Sequence, residues 1–284
     1  MSKPLLICTD LDRTLIPNGP QSESRGARAC FARFATHPSI TLAYASGRHR
    51  ALVEKAISHY QLPAPAFVIG DVGSTIYNVS KDRKWTRQEA WEERIGRNWA
   101  GKTHADLKAL LHDIHLLRLQ EPSKQNRHKL SYYVPLQANR EALNAVIAER
   151  FTDIGVRSNL IWSLDEPQGV GLLDILPAGA SKYHAIEALM QQQGFGYQNT
   201  VFCGDSGNDI EVMASAVPAV LVANAEAGVK QLAQELAQRS GFPDRLYIAK
   251  GGFHGMNGNY SGGMLEGIAH YHPDSLPLMG LESA

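Results

Sequence analysis

The chain has no excess of charge of either sign: 28 Lys and Arg stand against 28 Asp and Glu in 284 residues. Proteins held to nucleic acid through its phosphates, or to a membrane surface through charge, carry a basic excess, so neither partner is expected. Cysteine is scarce. Cys8, Cys30 and Cys203 cannot all pair and none stands in a CxxC, which excludes a disulfide framework and predicts a reducing, cytoplasmic location. Long apolar runs are missing too. A stretch such as Ala216–Ala225 is too short and too interrupted to span a bilayer, and Met-Ser-Lys-Pro opens no run of signal-peptide length. No internal repeat or low-complexity segment is present.

What is there is ordinary for a protein with a buried core: 44% hydrophobic and 20% charged residues, in a length that suits one large domain or two modest ones. Apolar runs at Leu5–Thr9, Ile40–Ala45 and Phe67–Ile69 read as buried strands. The segments Glu23–His37 and His49–Tyr60 between them have helical spacing. Strands separated by helices predict a parallel α/β sheet, doubly wound and Rossmann-like. The alternation resumes later, with strands Leu172–Leu176, Thr200–Gly204 and Ala219–Val222. Helices are read at Ser181–Gln193, Asp209–Ser215, Glu226–Gln238 and Gly263–Tyr271.

Between these halves the composition shifts toward Trp, His, Arg and Gln. Helices are read near Arg87–Trp99, Thr103–His115 and Arg140–Arg150, with strands at Lys129–Val134 and Val156–Ser163. Grouped in this way they predict an α+β module, residues 79–169, inserted into a core of residues 1–78 plus 170–284, with hinges near Asn78 and Gly169. The Gly- and Asn-rich segment 251–263 reads as a mobile loop.

Ligands of open α/β sheets bind beyond the carboxyl ends of the strands. Strand ends here carry matched chemistry. Asp10 and Asp12 follow the first strand, a pair that can hold a divalent cation and leave one oxygen free to attack. Ser46-Gly47-Arg48 offers a hydroxyl and free backbone amides at a helix start, an anion site. Lys182 opens a helix, where a cation is unfavourable without a negative partner. Gly204-Asp205-Ser206-Gly207-Asn208-Asp209 gathers acids and an amide around a glycine turn, a donor set suited to Mg²⁺. Singly, each also reads as a turn, a cap or a surface residue. Together they describe phosphoryl transfer to a carboxylate, with Mg²⁺ and Lys182 neutralising the phosphate. Other tempting residues have plainer readings: His112 and His115 lack a third zinc ligand nearby, and Trp85, Trp91 and Trp99 suit helix packing as well as sugar stacking.

These four segments resemble motifs one to four of the haloacid dehalogenase superfamily of phosphatases, and the insert resembles its large α/β cap. Over almost the whole chain the resemblance narrows to the sucrose-phosphate phosphatase family. It is carried by Val72–Tyr77, Gln125–Tyr132, Asp174–Pro177 with Lys182, and Gly263–Tyr271. The resemblance implies Mg²⁺-dependent hydrolysis of sucrose 6-phosphate to sucrose and phosphate. Asp10 would be the nucleophile, Asp12 the general acid and base, and Ser46, Gly47, Arg48 and Lys182 the phosphate clamp. Asp10, Asp12, Asp205 and Asp209 would serve the metal, with Asn208 in support. Asn126, Lys129 and Ser131 of the cap, with Gln125 beside them, would read the sugar. The family also brings a sucrose-phosphate synthase into view as a partner. Departures are Arg13, where many superfamily members have Gly, Thr75, where an acid is expected, and a Gly251–Asn259 loop longer than in compact members. They leave open a phosphatase for another glycosyl phosphate, such as glucosylglycerol or trehalose phosphate. An inactive binding partner of a sugar-phosphate synthase is the remaining alternative. A phospho-aspartate receiver fits poorly with the length, the insert and Asp12.

Overall fold

β1 (Leu5–Thr9) runs through the centre of an eight-stranded sheet, and its alternate residues feed opposite faces. Leu5 and Ile7 join one core cluster, Leu6 and Cys8 the other. The structure, a computed structural model, describes residues 4–165 and 168–281. The Met1–Lys3 start read for a leader therefore lies outside the described residues. The remaining strands are β2 (Ile40–Ala45), β3 (Phe67–Gly70), β4 (Thr75–Val79), β5 (Trp85–Arg87), β6 (Arg118–Leu119), β7 (Leu130–Val134), β8 (Ser158–Asp165), β9 (Val170–Pro177), β10 (Thr200–Gly204), β11 (Ala219–Leu221) and β12 (Leu246–Ile248).

The core sheet has the order β12-β11-β10-β1-β2-β3-β4-β5. It is parallel from β12 through β3, and β4 and β5 extend it antiparallel. This is the expected doubly wound, Rossmann-like α/β fold. α1 (Ala27–Ala35) and α2 (Arg50–His59) follow β1 and β2. The inserted module contributes α3 (Glu89–Gly96), α4 (His104–Leu110) and α5 (Arg140–Asp153). After it come α6 (Lys182–Gln193), α7 (Ile210–Met213), α8 (Ala227–Arg239), α9 (Ser261–Tyr271) and α10 (Leu276–Met279). Phe31 and Phe34 of α1 pack with Met264, Leu265 and Ile268 of α9 on one face of the sheet. Ile186 and Leu189 of α6 pack with Ala233 of α8 on the other. No helix among the described residues is long and apolar enough to cross a membrane, and Cys8, Cys30 and Cys203 are free and buried.

The insert has its own four-stranded antiparallel sheet, β6-β7-β9-β8, and its own core around Trp99, Tyr132, Phe151 and Leu173. One strand belongs to a different sheet from the one its apolar pattern predicts. Leu172–Leu176 lies in β9, which pairs antiparallel with β7 and β8 and belongs to the insert. A strand buried along most of its length gives the same apolar run in either sheet. Gly169, expected at a hinge, instead sits between the paired ends Asp165 and Val170 of the β8–β9 hairpin. Asn78, the other expected hinge, is inside β4 and paired with Phe67 and Thr86 of the core sheet. The chain therefore passes from core sheet to cap after Arg87 of β5, and returns after Pro177. The segment expected to be a mobile loop is tied down. Asn257 exchanges hydrogen bonds with Ser24, Gly251 N–H donates to Glu266, and Tyr260 is fully buried.

Candidate active site

A cavity of about 290 Å³ opens beyond the carboxyl end of the core sheet, with the cap sheet as its far wall. Asp10, Asp12, Gly47, Arg48, Asp205 and Asn208 line it from the core. Gln120, Lys124, Lys129, Ser163, Leu172 and Asp174 line it from the cap.

The acids are gathered because parallel neighbours end at one level. β1 pairs with β10 in register, Thr9 opposite Cys203, so Asp10 and Asp205 emerge side by side. Ligand oxygens of Asp10, Asp205 and Asp209 lie within 4.8 Å of one another, all buried. Gly204 makes the close approach possible, since a Cβ there would sit 2.6 Å from Asp209 Oδ2. That carboxylate accepts the backbone N–H groups of Asp205 and Ser206, each at 3.1 Å, which locks the turn.

Lys182 is fully buried, its Nζ 2.7 Å from Asp209 Oδ1, 2.8 Å from Asn208 Oδ1 and 3.1 Å from Asp10 Oδ2. Burial disfavours its charge, but the Asp10 and Asp209 carboxylates prevail and hold its pKa above the ordinary lysine value. The negative partner that a cation at a helix N-terminus needs is therefore present. Burial pushes Asp10 up to about 7, with Lys182 pulling down and Asp209 and Asp12 adding repulsion. Asp205 is raised for the same reasons, burial first, then Asp10 and Asp209, with Arg13 and Thr14 opposing. Arg13 Nε lies 3.6 Å from Asp205 Oδ2. Negative charge thus exceeds what the neighbouring cations compensate, a setting a divalent ion relieves. An all-oxygen donor set built around carboxylates fits such a hard cation.

Asp12 lies outside this cluster, its carboxylate bound by Arg48 and Asn18. Ser46 is fully buried and its Oγ accepts the Arg48 N–H at 3.2 Å. Arg13 adopts φ 55°, which explains why glycine is common there. Asn18 and Asn224 hold its backbone N–H and carbonyl.

On the cap side, Lys129 faces the cavity while the other sugar-reading candidates do not. The Asn126 side chain donates to Ser74 Oγ at 3.0 Å and accepts His128 N–H. Ser131 Oγ donates to Asp174 Oδ1 at 2.5 Å, and the Gln125 side chain is spent on backbone groups of Gln120 and Ser131 and on the His104 ring. These residues build the wall behind Lys129 and Asp174. Asp174 itself escaped the sequence reading as a site residue, although an acid in a buried apolar strand is a signal in its own right. Gln120 and Lys124 carried no such signal.

A fold of this kind, carrying Asp10, Ser46 and Asp205 at its strand ends and Lys182 at the start of α6, defines a phosphatase of the haloacid dehalogenase superfamily. The chain belongs to the sucrose-6F-phosphate phosphohydrolase family, whose model matches residues 3–272. It is 50% identical over 275 residues to a Nitrosococcus oceani protein named as a HAD-like hydrolase, covering 97% of this chain and 74% of that one. It is 29% identical over 240 residues to the mannosylfructose-phosphate phosphatase of Agrobacterium fabrum, covering 82% and 89%. The sucrose-phosphatase of Synechocystis sp. PCC6803, solved with sucrose and phosphate, superposes with a TM-score of 0.74 at 25% identity, covering 95% of this chain and 98% of that one. Against sucrose-phosphatase 2 of Nicotiana tabacum the identity is 28% over 227 residues, 78% of this chain and 51% of that protein. The chain thus matches about half the length of that plant protein.

Proposed function

We propose that this protein is a Mg²⁺-dependent phosphatase that hydrolyses sucrose 6-phosphate to sucrose and phosphate. The observation that carries the reading is the composition of one cavity. Its floor holds an acid cluster braced by a buried lysine, and its roof presents a lysine and a carboxylate suited to hydroxyl groups. Asp10 Oδ1 accepts the Leu11 N–H at 2.7 Å, which fixes the carboxylate and leaves Oδ2, beside Lys182, to attack phosphorus. The bond from phosphorus to the sugar oxygen breaks as the aspartyl-phosphate forms, and water then hydrolyses that ester. Asp12 protonates the departing sugar oxygen and afterwards activates the water. Ser46, Gly47 and Arg48 cradle the transferring phosphoryl oxygens, and Lys182 meets their growing charge. Asp10, Asp205 and Asp209 would hold Mg²⁺, with Asn208 in support, and the Asp12 backbone carbonyl is a further donor. Bound there, the ion neutralises phosphate that would otherwise meet three buried acids.

The core can recognise only phosphate and metal, so discrimination falls to the cap. Lys129 is its reader, because a polar group left unpaired by the wrong ligand rejects it strongly. A second reading, a phosphatase for another disaccharide phosphate, is favoured by the match over 89% of the mannosylfructose-phosphate phosphatase. Turnover of a panel of glycosyl phosphates decides between them. Preference for sucrose 6-phosphate by more than ~10-fold in kcat/KM, about 1.4 kcal/mol, supports the first reading. The same margin for another sugar overturns it.

A further inference from the structure

We propose that Asp71 is a positioning residue for sugar recognition, which from the core side holds the Lys129 ammonium in the cap and ties it to the phosphate loop. The inference rests on the reading of Lys129 given above, and goes beyond it by assigning what sets that lysine's place.

Lys129 Nζ stands between two carboxylates, 3.7 Å from Asp174 Oδ1 and 3.9 Å from Asp71 Oδ1. Among the described residues it makes no hydrogen bond, so its donors are aimed by charge and left for a ligand. The two acids differ in origin. Asp174 belongs to the cap strand β9 and lines the cavity. Asp71 follows the core strand β3, is buried, and stands behind Lys129 without lining the cavity. It is therefore placed to reach the sugar through Lys129 rather than directly.

The backbone at Asp71 explains how that placement reaches the chemistry. Asp71 and Val72 both take positive φ, 52° and 61°. For a β-branched valine this is an outlier that only its surroundings can enforce. Asp71 N–H donates to the Arg48 carbonyl at 3.0 Å and Val72 N–H to the Ser46 carbonyl at 3.1 Å. Gly73 packs so closely on Ser181 that a Cβ there would lie 2.2 Å from its carbonyl carbon. The corner thus joins the Ser46–Arg48 loop and the start of α6 to the sugar-facing lysine. The remaining Asp71 oxygen accepts from Thr75 Oγ1 at 3.2 Å, so the carboxylate cannot turn away from Lys129.

The test is Asp71→Asn, because asparagine keeps the shape and tolerates positive φ. Asp71→Gly, free of backbone strain, serves if the first variant melts early. Kinetics are measured on the best glycosyl phosphate of the panel and on p-nitrophenyl phosphate, in both the wild-type and Lys129→Ala backgrounds. The expected result is a KM for the sugar ester raised ~10-fold, with a much smaller change on p-nitrophenyl phosphate. Asp71→Asn should add less than ~2-fold once Lys129 is gone, the non-additivity of residues acting through one another. Equal losses on both esters, or full additivity with Lys129→Ala, would show a structural role and overturn the proposal. If Lys129→Ala raises the sugar KM while Asp71→Asn leaves it unchanged, Asp71 alone is refuted. If Lys129→Ala has no effect on it, the reading of Lys129 falls and this inference with it.

Discussion

Arg48 grips Asp12 with both arms of its guanidinium, Nε to Oδ2 at 2.7 Å and Nη2 to Oδ1 at 2.5 Å, and Asn18 adds a third bond at 2.7 Å. Burial alone would raise the Asp12 pKa. The hydrogen bonds and charge of Arg48 prevail and hold it below the usual carboxylate value. An acid held so firmly is a poor proton donor until its partner lets go, and a phosphate beside Arg48 competes for the same fork. Asp12→Ala should lower kcat by ~10²–10⁴-fold while the protein still folds. Steady-state kinetics with a thermal melt decide this, and an unchanged kcat would contradict the role.

Lys182 stands between two carboxylates and is fully buried. Lys182→Ala should cut kcat/KM by at least ~10²-fold, the effect of one lost transition-state donor. It also leaves buried acids uncompensated, a loss of ~3–5 kcal/mol where a buried pair is broken. Chemical denaturation measures the second effect separately. A stability loss with intact kcat/KM would reduce Lys182 to a structural role.

If the acid cluster holds a divalent cation as proposed, activity depends on one. EDTA should abolish turnover and added Mg²⁺ restore it. Mg²⁺ at about 100 times its Kd should stabilise the fold by ~2.7 kcal/mol. Asp205→Asn should lose most of that stabilisation. Full turnover after exhaustive chelation would refute the metal site.

Asp10→Asn keeps the shape of the proposed nucleophile and removes its charged oxygen. Activity should fall below detection, and no acid-stable, base-labile phosphoprotein should form during turnover. Near-wild-type turnover in a pure preparation would place the attacking group elsewhere.

His128 lies in the cap with its Nδ1 buried and without a hydrogen-bond partner among the described residues. Burial, helped by Arg127, lowers its pKa from 6.5 to about 4. Folding thus favours the neutral ring. Its penalty is absent above the unfolded pKa and grows as pH falls from 6.5 toward 4, so stability is lost on acidification. The melting temperature should fall across that window less steeply in His128→Asn than in the wild type. Parallel curves would show that other groups govern the acid limb.

The gathering of the four polar segments is legible in the sequence because each follows a buried apolar strand with polar residues that such a position does not otherwise need. Asp10 and Asp205 are far apart in the chain, yet the parallel register predicted by the strand–helix rhythm brings them together. The cap was legible only in outline. The pattern of Leu and Ile in β9 says that the strand is buried and not by which sheet, so it reads as core although it pairs in the cap. β6 and β12, of two and three residues, are too short to show a period. Asn126, Ser131 and Gln125 stand close to Lys129, but their side chains are spent on protein groups, Asn126 on Ser74 of the core and Ser131 and Gln125 within the cap. Asp71 was unreadable as a partner of Lys129, because that contact spans the two sheets and hangs on a positive φ.

β9 ends at Pro177 and α6 begins at Lys182, so only residues 178–181 separate the last cap strand from the buried lysine. A graft that gave this core a new cap could not be spliced at 169, which would cut a hairpin and leave β9 without its neighbours. The workable seam lies in the Ala178-Gly179-Ala180 tether, and any exchanged module would have to deliver its final strand at the right height to seat Ser181 against Gly73. Cap and buried lysine are in that sense one inheritable unit, and a change of sugar preference acquired by recombination would carry its own constraint on the site beneath.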